Sequence, residues 1–79
     1  MKLKLYTGEE LRALREKRRL NQTDFWARFE VGQSGGSRYE SGREIPLSVQ
    51  VLLNLAFGSE AKARGLFEEL WKFGHPKAK

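Results

Sequence analysis

Residues 20 to 43 contain the side chains of this chain that are best suited to contact another molecule. They predict two short helices joined by a tight turn. The second of these helices opens with an amide and with small residues: Gln33, Ser34, Gly35 and Gly36. A helix that starts small and polar can enter a groove with its N-terminal end first. For a basic chain, the groove that fits such a helix is the major groove of DNA.

The charge of the chain favours a polyanionic partner. Fifteen Lys and Arg stand against ten Asp and Glu, which gives a net charge of +5 over 79 residues. Such an excess is the electrostatic footprint of a nucleic-acid binder, although charge alone favours a merely soluble surface equally. The positive charge is spread along the chain, so a basic face has to come from folding.

Length and composition argue against several other classes of protein. Residues 1–79 suffice for a single small domain with one modest core. The chain has no cysteine and one histidine, His75, so we expect neither a metal nor a cofactor. No apolar run approaches the ~20 residues of a membrane span, so we expect a soluble, cytoplasmic and nucleoid-associated protein without a membrane partner. No nucleophile–base set or phosphate loop is visible, so we expect no enzymatic activity.

Capping residues and apolar spacing predict five short helices and an all-α fold. The first helix begins with a capping box formed by Thr7 and Glu10. The further N-cap side chains are Asn21, Ser48 and Ser59. The helix ends are marked by Gly42, Gly58 and Gly74. We expect residues 1–6 and 75–79 to be loose.

The apolar stripes of these helices predict the core. The strongest candidates are Leu11, Leu14, Leu20, Phe25, Trp26, Phe29, Val31, Tyr39, Leu52, Leu55, Leu66 and Leu70. Phe67 and Trp71 are assigned to the core as well. The alternative is that part of their apolar stripe is exposed and forms a dimer surface.

An ordered set of residues resembles the helix-turn-helix domain of lambdoid phage repressors, Cro proteins and many bacterial (XRE-type) regulators and antitoxins. The resemblance covers residues 11 to 57, and its landmarks are Leu11, Leu14, Arg15, Leu20, Asn21, Gln22, Phe25, Val31, Ser37, Arg38, Tyr39, Glu40, Gly42 and Pro46. It implies a compact five-helix, lambda-repressor-like domain whose helix-turn-helix core spans about 22–41. The implied function is a sequence-specific transcriptional regulator, most often a repressor that binds a palindromic operator on double-stranded DNA as a homodimer.

The resemblance also implies roles for individual positions. The residues that would face base edges are Gln33, Ser34, Ser37 and Arg38. Gln22, at the start of the second helix, and Arg43, just past the third, would contact DNA phosphates. Arg15 and Glu40 match a partly buried salt bridge, so we expect this pair to be structural.

Two positions depart from the pattern of the family in a complementary way. Trp26 stands where a small residue is usual, and Gly36 stands where a large aliphatic residue is usual. We therefore predict that Trp26 packs over Gly36 and keeps the core volume constant. Gly35 either keeps the helix thin so that its backbone can approach DNA, or marks a frayed helix that orders on binding. Glu30 replaces a glycine that is common in this turn, and Gly32 is expected to absorb the strain.

Other basic residues and other functions leave alternatives open. The run Lys17, Arg18 and Arg19 either grips phosphate or forms a solvated helix end, and Arg28 is equally ambiguous. The first rival function is an antitoxin that binds a toxin protein and regulates its own synthesis. The second is a helix-turn-helix fold used only for protein interaction.

Overall fold

The computed structural model describes residues 1–77 and confirms the all-α fold. Within these residues it contains five helices: α1 (Gly8–Lys17), α2 (Gln22–Ala27), α3 (Gln33–Glu40), α4 (Leu47–Phe57) and α5 (Glu60–Gly74). None of the helices in this part of the chain is long and apolar enough to cross a membrane. Ala78 and Lys79, part of the tail expected to be loose, lie outside the described residues.

Local capping explains where most of the helices begin. The capping box of α1 is confirmed, since the Thr7 hydroxyl accepts a hydrogen bond from the Glu10 N–H at 3.1 Å and the Glu10 carboxylate accepts one from the Thr7 N–H at 3.1 Å. Asn21 and Ser59 cap α2 and α5 as predicted. The prediction for Ser48 is wrong. Here α4 begins at Leu47 with Pro46 at the N-cap, because the fixed backbone angle of proline already ends the extended connector.

The two connections around α2 use left-handed backbone at residues other than glycine. Arg19 and Glu30 both have a φ of 58°, whereas Gly32 is extended at −69° and serves as the N-cap of α3. The expectation that Gly32 absorbs the strain of this turn is therefore wrong. Gly42 follows α3 at a φ of 113°, a conformation that favours glycine, and it ends that helix region as predicted.

The core is centred on α2 and on the aromatic residues it carries. The buried cluster consists of Tyr6, Leu11, Phe25, Trp26, Phe29, Ile45 and Leu53. Leu14, Leu20, Val31 and Tyr39 pack against it, and Leu66 is buried on α5. Three predicted core residues are wrong, because Leu52, Leu55 and Leu70 are 41%, 37% and 49% exposed. Phe67 and Trp71 are exposed as well.

The buried face of α4 carries two amides, Gln50 and Asn54, beside Leu53, whereas Leu52 and Leu55 were the residues expected to face inward. Gln50 exchanges hydrogen bonds of 2.9 Å with both the N–H and the C=O of Tyr6. Asn54 does the same with Lys4, at 3.0 and 2.8 Å. These two amides pair with the extended N-terminal segment as a neighbouring strand would. The expectation that residues 1–6 are loose is therefore wrong for Lys4 and Tyr6, whose backbone is bonded and whose tyrosine ring is buried.

The predicted packing of Trp26 over Gly36 is confirmed. Trp26 is fully buried, and a Cβ atom on Gly36 would overlap Cδ1 and Cγ of its ring. The indole of Trp26 on α2 thus fills the space that a side chain at Gly36 on α3 would occupy. Helices α2 and α3 approach each other at this point because one contributes a large ring and the other contributes none.

Replacing the ring should therefore open a cavity in the core. We expect Trp26→Ala to lower the free energy of unfolding by ~3–5 kcal/mol in urea denaturation. The double variant Trp26→Ala/Gly36→Leu should regain part of this loss, whereas Gly36→Leu alone should be strongly destabilising because its side chain collides with the indole. A loss below ~1 kcal/mol for Trp26→Ala would contradict the packing.

Candidate nucleic-acid interface

The four side chains predicted to read bases lie on one face of α3. Gln33, Ser34 and Arg38 are exposed, and Ser37 is half-buried. Their spacings of three and four residues along the helix place them on neighbouring positions of the same surface. The opposite side of α3 is occupied by Gly36 against the indole. The structure therefore gathers one amide, two hydroxyls and one guanidinium on a single outward face.

The first turn of α3 is open at its N-terminal end. The N-cap, Gly32, has no side chain to accept a hydrogen bond, and a Cβ atom on Gly32 would point into open space. The first N–H bonded along the helix is that of Gly36, which donates to the Gly32 carbonyl at 2.9 Å. The amides of Gln33, Ser34 and Gly35 are thus left for an outside acceptor. This end of the helix carries partial positive charge and suits the backbone of a nucleic acid.

Gly35 lies on the half-buried side of the same turn. A Cβ atom there would lie 3.2 Å from Cγ1 of Val31, so the position is tight but has room for adjustment. Helix α3 is continuous through Gly35 and Gly36, so its first turn is helical in this structure and not frayed. The absent side chains leave α3 slender over its first turn.

Behind this face, the Glu40 carboxylate joins three helices. Arg15 of α1 donates from Nε to Oε2 at 2.8 Å and from Nη2 to Oε1 at 2.9 Å. From α2, Trp26 Nε1 donates to Oε2 at 2.8 Å and Gln22 Nε2 donates to Oε1 at 3.1 Å. The Glu40 side chain is only 2% exposed. The predicted salt bridge with Arg15 is present, and the two donors from α2 complete the coordination of a buried charge.

This environment sets the ionisation of the pair. Burial by itself raises the pKa of Glu40, but the hydrogen bonds from Arg15, Trp26 and Gln22 and the charge of Arg15 outweigh it and hold the pKa below its ordinary value. The hydrogen bond to Glu40 likewise raises the pKa of Arg15. Both residues are charged at neutral pH, and each depends on the other for its burial.

Sequence reasoning missed the engagement of Gln22 and Trp26 with Glu40. The amide of Gln22, predicted to hold a phosphate, is half-buried and donates one of its N–H groups inward. The indole N–H of Trp26 supplies the other missed contact. A buried tryptophan usually needs an acceptor for its N–H, and that rule is the signal that points to this contact.

Three of the other arginines, Arg43, Arg18 and Arg28, lie in two different places. Arg43 is exposed directly after α3, and its backbone N–H donates to the Arg38 carbonyl at 3.0 Å, so it stays beside the α3 face. Arg18 instead lies over the Phe57 ring of α4, with its guanidinium 5.3 Å from the ring centroid. Arg28 and Arg18 both line a groove between α2 and α4. The structure therefore separates these two from the α3 face.

Comparison with known proteins identifies the family. The chain belongs to the RsaL-like helix-turn-helix domain family, whose sequence model matches residues 12–56, more than half of the 79 residues. This places it among helix-turn-helix DNA-binding regulators and confirms the resemblance at that level. No curated protein and no solved structure gives a significant match to the chain.

The buried carboxylate should make stability depend on pH in acid. Because the pKa of Glu40 is lowered by folding, its contribution is complete above the unfolded carboxyl range of about 4–4.5 and is lost as the pH falls through the folded value. We expect Glu40→Gln to cost ~3–5 kcal/mol at pH 7, since it leaves Arg15 buried without its partner, and to flatten the acid dependence. Urea denaturation between about pH 7 and pH 3 measures both effects.

The control for this experiment is Glu60→Gln. Glu60 forms an exposed pair with Arg64 on α5, with side chains 79% and 75% exposed, so this change should leave the free energy of unfolding nearly constant. Parallel pH profiles for the native protein and Glu40→Gln would contradict the assignment.

Proposed function

We propose that this chain is a sequence-specific transcriptional regulator of the phage repressor and Cro (XRE) type. It binds double-stranded DNA with α3 in the major groove and acts in the bacterial cytoplasm on the nucleoid. Occupying a palindromic operator would block polymerase, so repression is the outcome we favour. The observation that carries this proposal is the outward face of α3, with its open first turn, in a member of a helix-turn-helix family.

The polar residues of α3 supply the chemistry for reading base edges. Gln33 can pair bidentately with adenine and Arg38 with guanine, and each such pair gives ~1–3 kcal/mol of discrimination. Ser34 and Ser37 can donate to or accept from either kind of base pair. Because these side chains share one helix face, a single insertion into the groove presents all of them together.

Phosphate contacts would fix the position of α3 on the duplex. Arg43 follows the C-terminal end of α3, and Gln22, the first residue of α2, lies beside Glu40 at that same end. Gly35, without a side chain, lets the backbone amides of the first turn approach phosphate closely. Contacts at both ends of the face would hold α3 in a defined register.

A second copy of the chain is the proposed partner on the far side of the domain. Helix α5 carries an unpartnered apolar stripe in which Phe67, Leu70, Trp71 and Phe73 are 57%, 49%, 52% and 87% exposed. Phe67 and Trp71 stack at 5.6 Å between ring centroids, so the stripe presents a continuous aromatic surface. A palindromic operator requires two copies related by two-fold symmetry, and pairing of these stripes would supply that symmetry.

The same stripe favours one alternative, an antitoxin. In that function a toxin protein, rather than a second copy, would cover α5, and DNA binding would regulate the pair's own synthesis. Co-purification with the product of a neighbouring gene distinguishes the two.

The DNA-binding proposal is tested by selecting bound sequences from random duplexes. We expect an enriched, palindromic site and an affinity that falls steeply as salt rises. Arg38→Ala should cost ~1–3 kcal/mol and relax the preference at one base position of each half-site.

Arg43→Ala is the matched control, since it removes the same charge beside the same helix. It should weaken all sequences alike and reduce the salt slope by about 1. If no sequence is enriched, the chain is not a sequence-specific regulator and the protein-interaction alternative gains support.

The dimer proposal is tested by sedimentation equilibrium on the free protein. We expect Trp71→Ser to weaken self-association at least tenfold, because it removes half-exposed aromatic surface from the centre of the stripe. Lys72→Ser, at the next position and also exposed, should leave association nearly unchanged. A native protein that stays monomeric while it saturates its DNA site would contradict pairing through α5.

A further inference from the structure

We infer that Glu40 positions the Gln22 amide for a DNA phosphate, in addition to pairing with Arg15. The inference rests on the proposed DNA binding and names a residue that acts through another. Glu40 is buried and therefore would not contact DNA itself. Its contribution to binding is to hold a donor in place before DNA arrives.

The geometry around Oε1 carries this assignment. Gln22 is the first residue of α2, and its Nε2 donates to Glu40 Oε1 at 3.1 Å. Arg15 donates to the same oxygen at 2.9 Å. The carboxylate accepts further bonds on Oε2 and lies fully inside the domain, so it cannot swing toward an alternative partner.

The two N–H groups of a glutamine amide point in different directions from one nitrogen. In Gln22 one of them is directed inward to Glu40, and the side chain as a whole is half-buried. The other N–H therefore diverges from the carboxylate. Because a carboxylate only accepts hydrogen bonds, it holds the nitrogen end of the amide and prevents a flip that would present the carbonyl oxygen in its place.

Holding this amide in place has a measurable consequence for binding. A free glutamine side chain samples many rotamers, and an interface that must immobilise it loses affinity. A side chain already fixed in the free protein avoids that loss. Releasing Gln22 from Glu40 should then weaken one phosphate contact by about three- to tenfold without changing which bases are preferred.

The experiment uses the selected DNA site with single methylphosphonate substitutions, each of which removes the charge of one phosphate. For the native protein we expect one phosphate per half-site whose neutralisation weakens binding about tenfold. Gln22→Ala should lose sensitivity at that phosphate. Glu40→Asp should lose it too, because a carboxylate that is one methylene shorter withdraws from the Gln22 amide, while its negative charge is retained to offset that of Arg15.

Trp26→Phe is the matched control. It removes a donor from Oε2 and also perturbs the core, but it leaves the bond between Gln22 and Oε1 in place. We expect it to keep full sensitivity at the same phosphate. Helical circular dichroism confirms that each variant is folded before binding is measured.

The outcomes separate this inference from the proposed function. Full phosphate sensitivity in Glu40→Asp, or an equal loss in Trp26→Phe, would overturn the positioning role while leaving DNA binding intact. If the native protein selects no DNA site, both fall together. Should Glu40→Asp fail to fold, NMR of the native Gln22 side-chain amide decides: an ordered Nε2 supports positioning, and free rotation overturns it.

Discussion

A buried carboxylate is stable only when hydrogen-bond donors surround it, and the buried carboxylate of this protein is that of Glu40, the last residue of α3. Its two oxygens accept hydrogen bonds from Arg15 of α1 and from Gln22 and Trp26 of α2. Because an unpaired charge at this depth would be strongly destabilising, the three helices can meet in few other ways. Glu40 thus ties the C-terminal end of α3 to both α1 and α2.

The pairing of a large residue on α2, Trp26, with a glycine on α3, Gly36, is also linked to the need of Glu40 for hydrogen-bond donors. An indole that reaches Glu40 from Trp26 has to pass across α3, and only a residue without a side chain at position 36 leaves it room. The Trp26 indole therefore both fills the space beside Gly36 and donates a hydrogen bond to Glu40. The inner side of α3 is filled from its neighbour, and its outer side is left to polar residues.

The face on α3 and the stripe on α5 lie on helices with different main packing partners, since α3 packs on α1 and α2 and α5 packs on α4. The domain measures 48 × 22 × 19 Å, and α5 has only one buried residue, Leu66. The apolar stripe thus lies on a helix whose one buried residue, Leu66, is near its middle. By contrast, the α3 face is held rigidly through Glu40. One surface is preorganised by its own chain, and the other is apolar surface that a partner can cover.

Local sequence was enough to determine three of the helix starts and the ends near Gly42 and Gly58, because a cap acts within about one helical turn. The resemblance to a family identified the bridge between Arg15 and Glu40, and complementary volumes identified Trp26 over Gly36. Only the tertiary structure decided that Gln50 and Asn54 face inward, since they pair with backbone 44 and 50 residues away. It also decided that the Gln22 amide donates a hydrogen bond to Glu40. The exposure of the α5 stripe was decided at this level too, because periodicity shows that a helix face is apolar but not what covers that face.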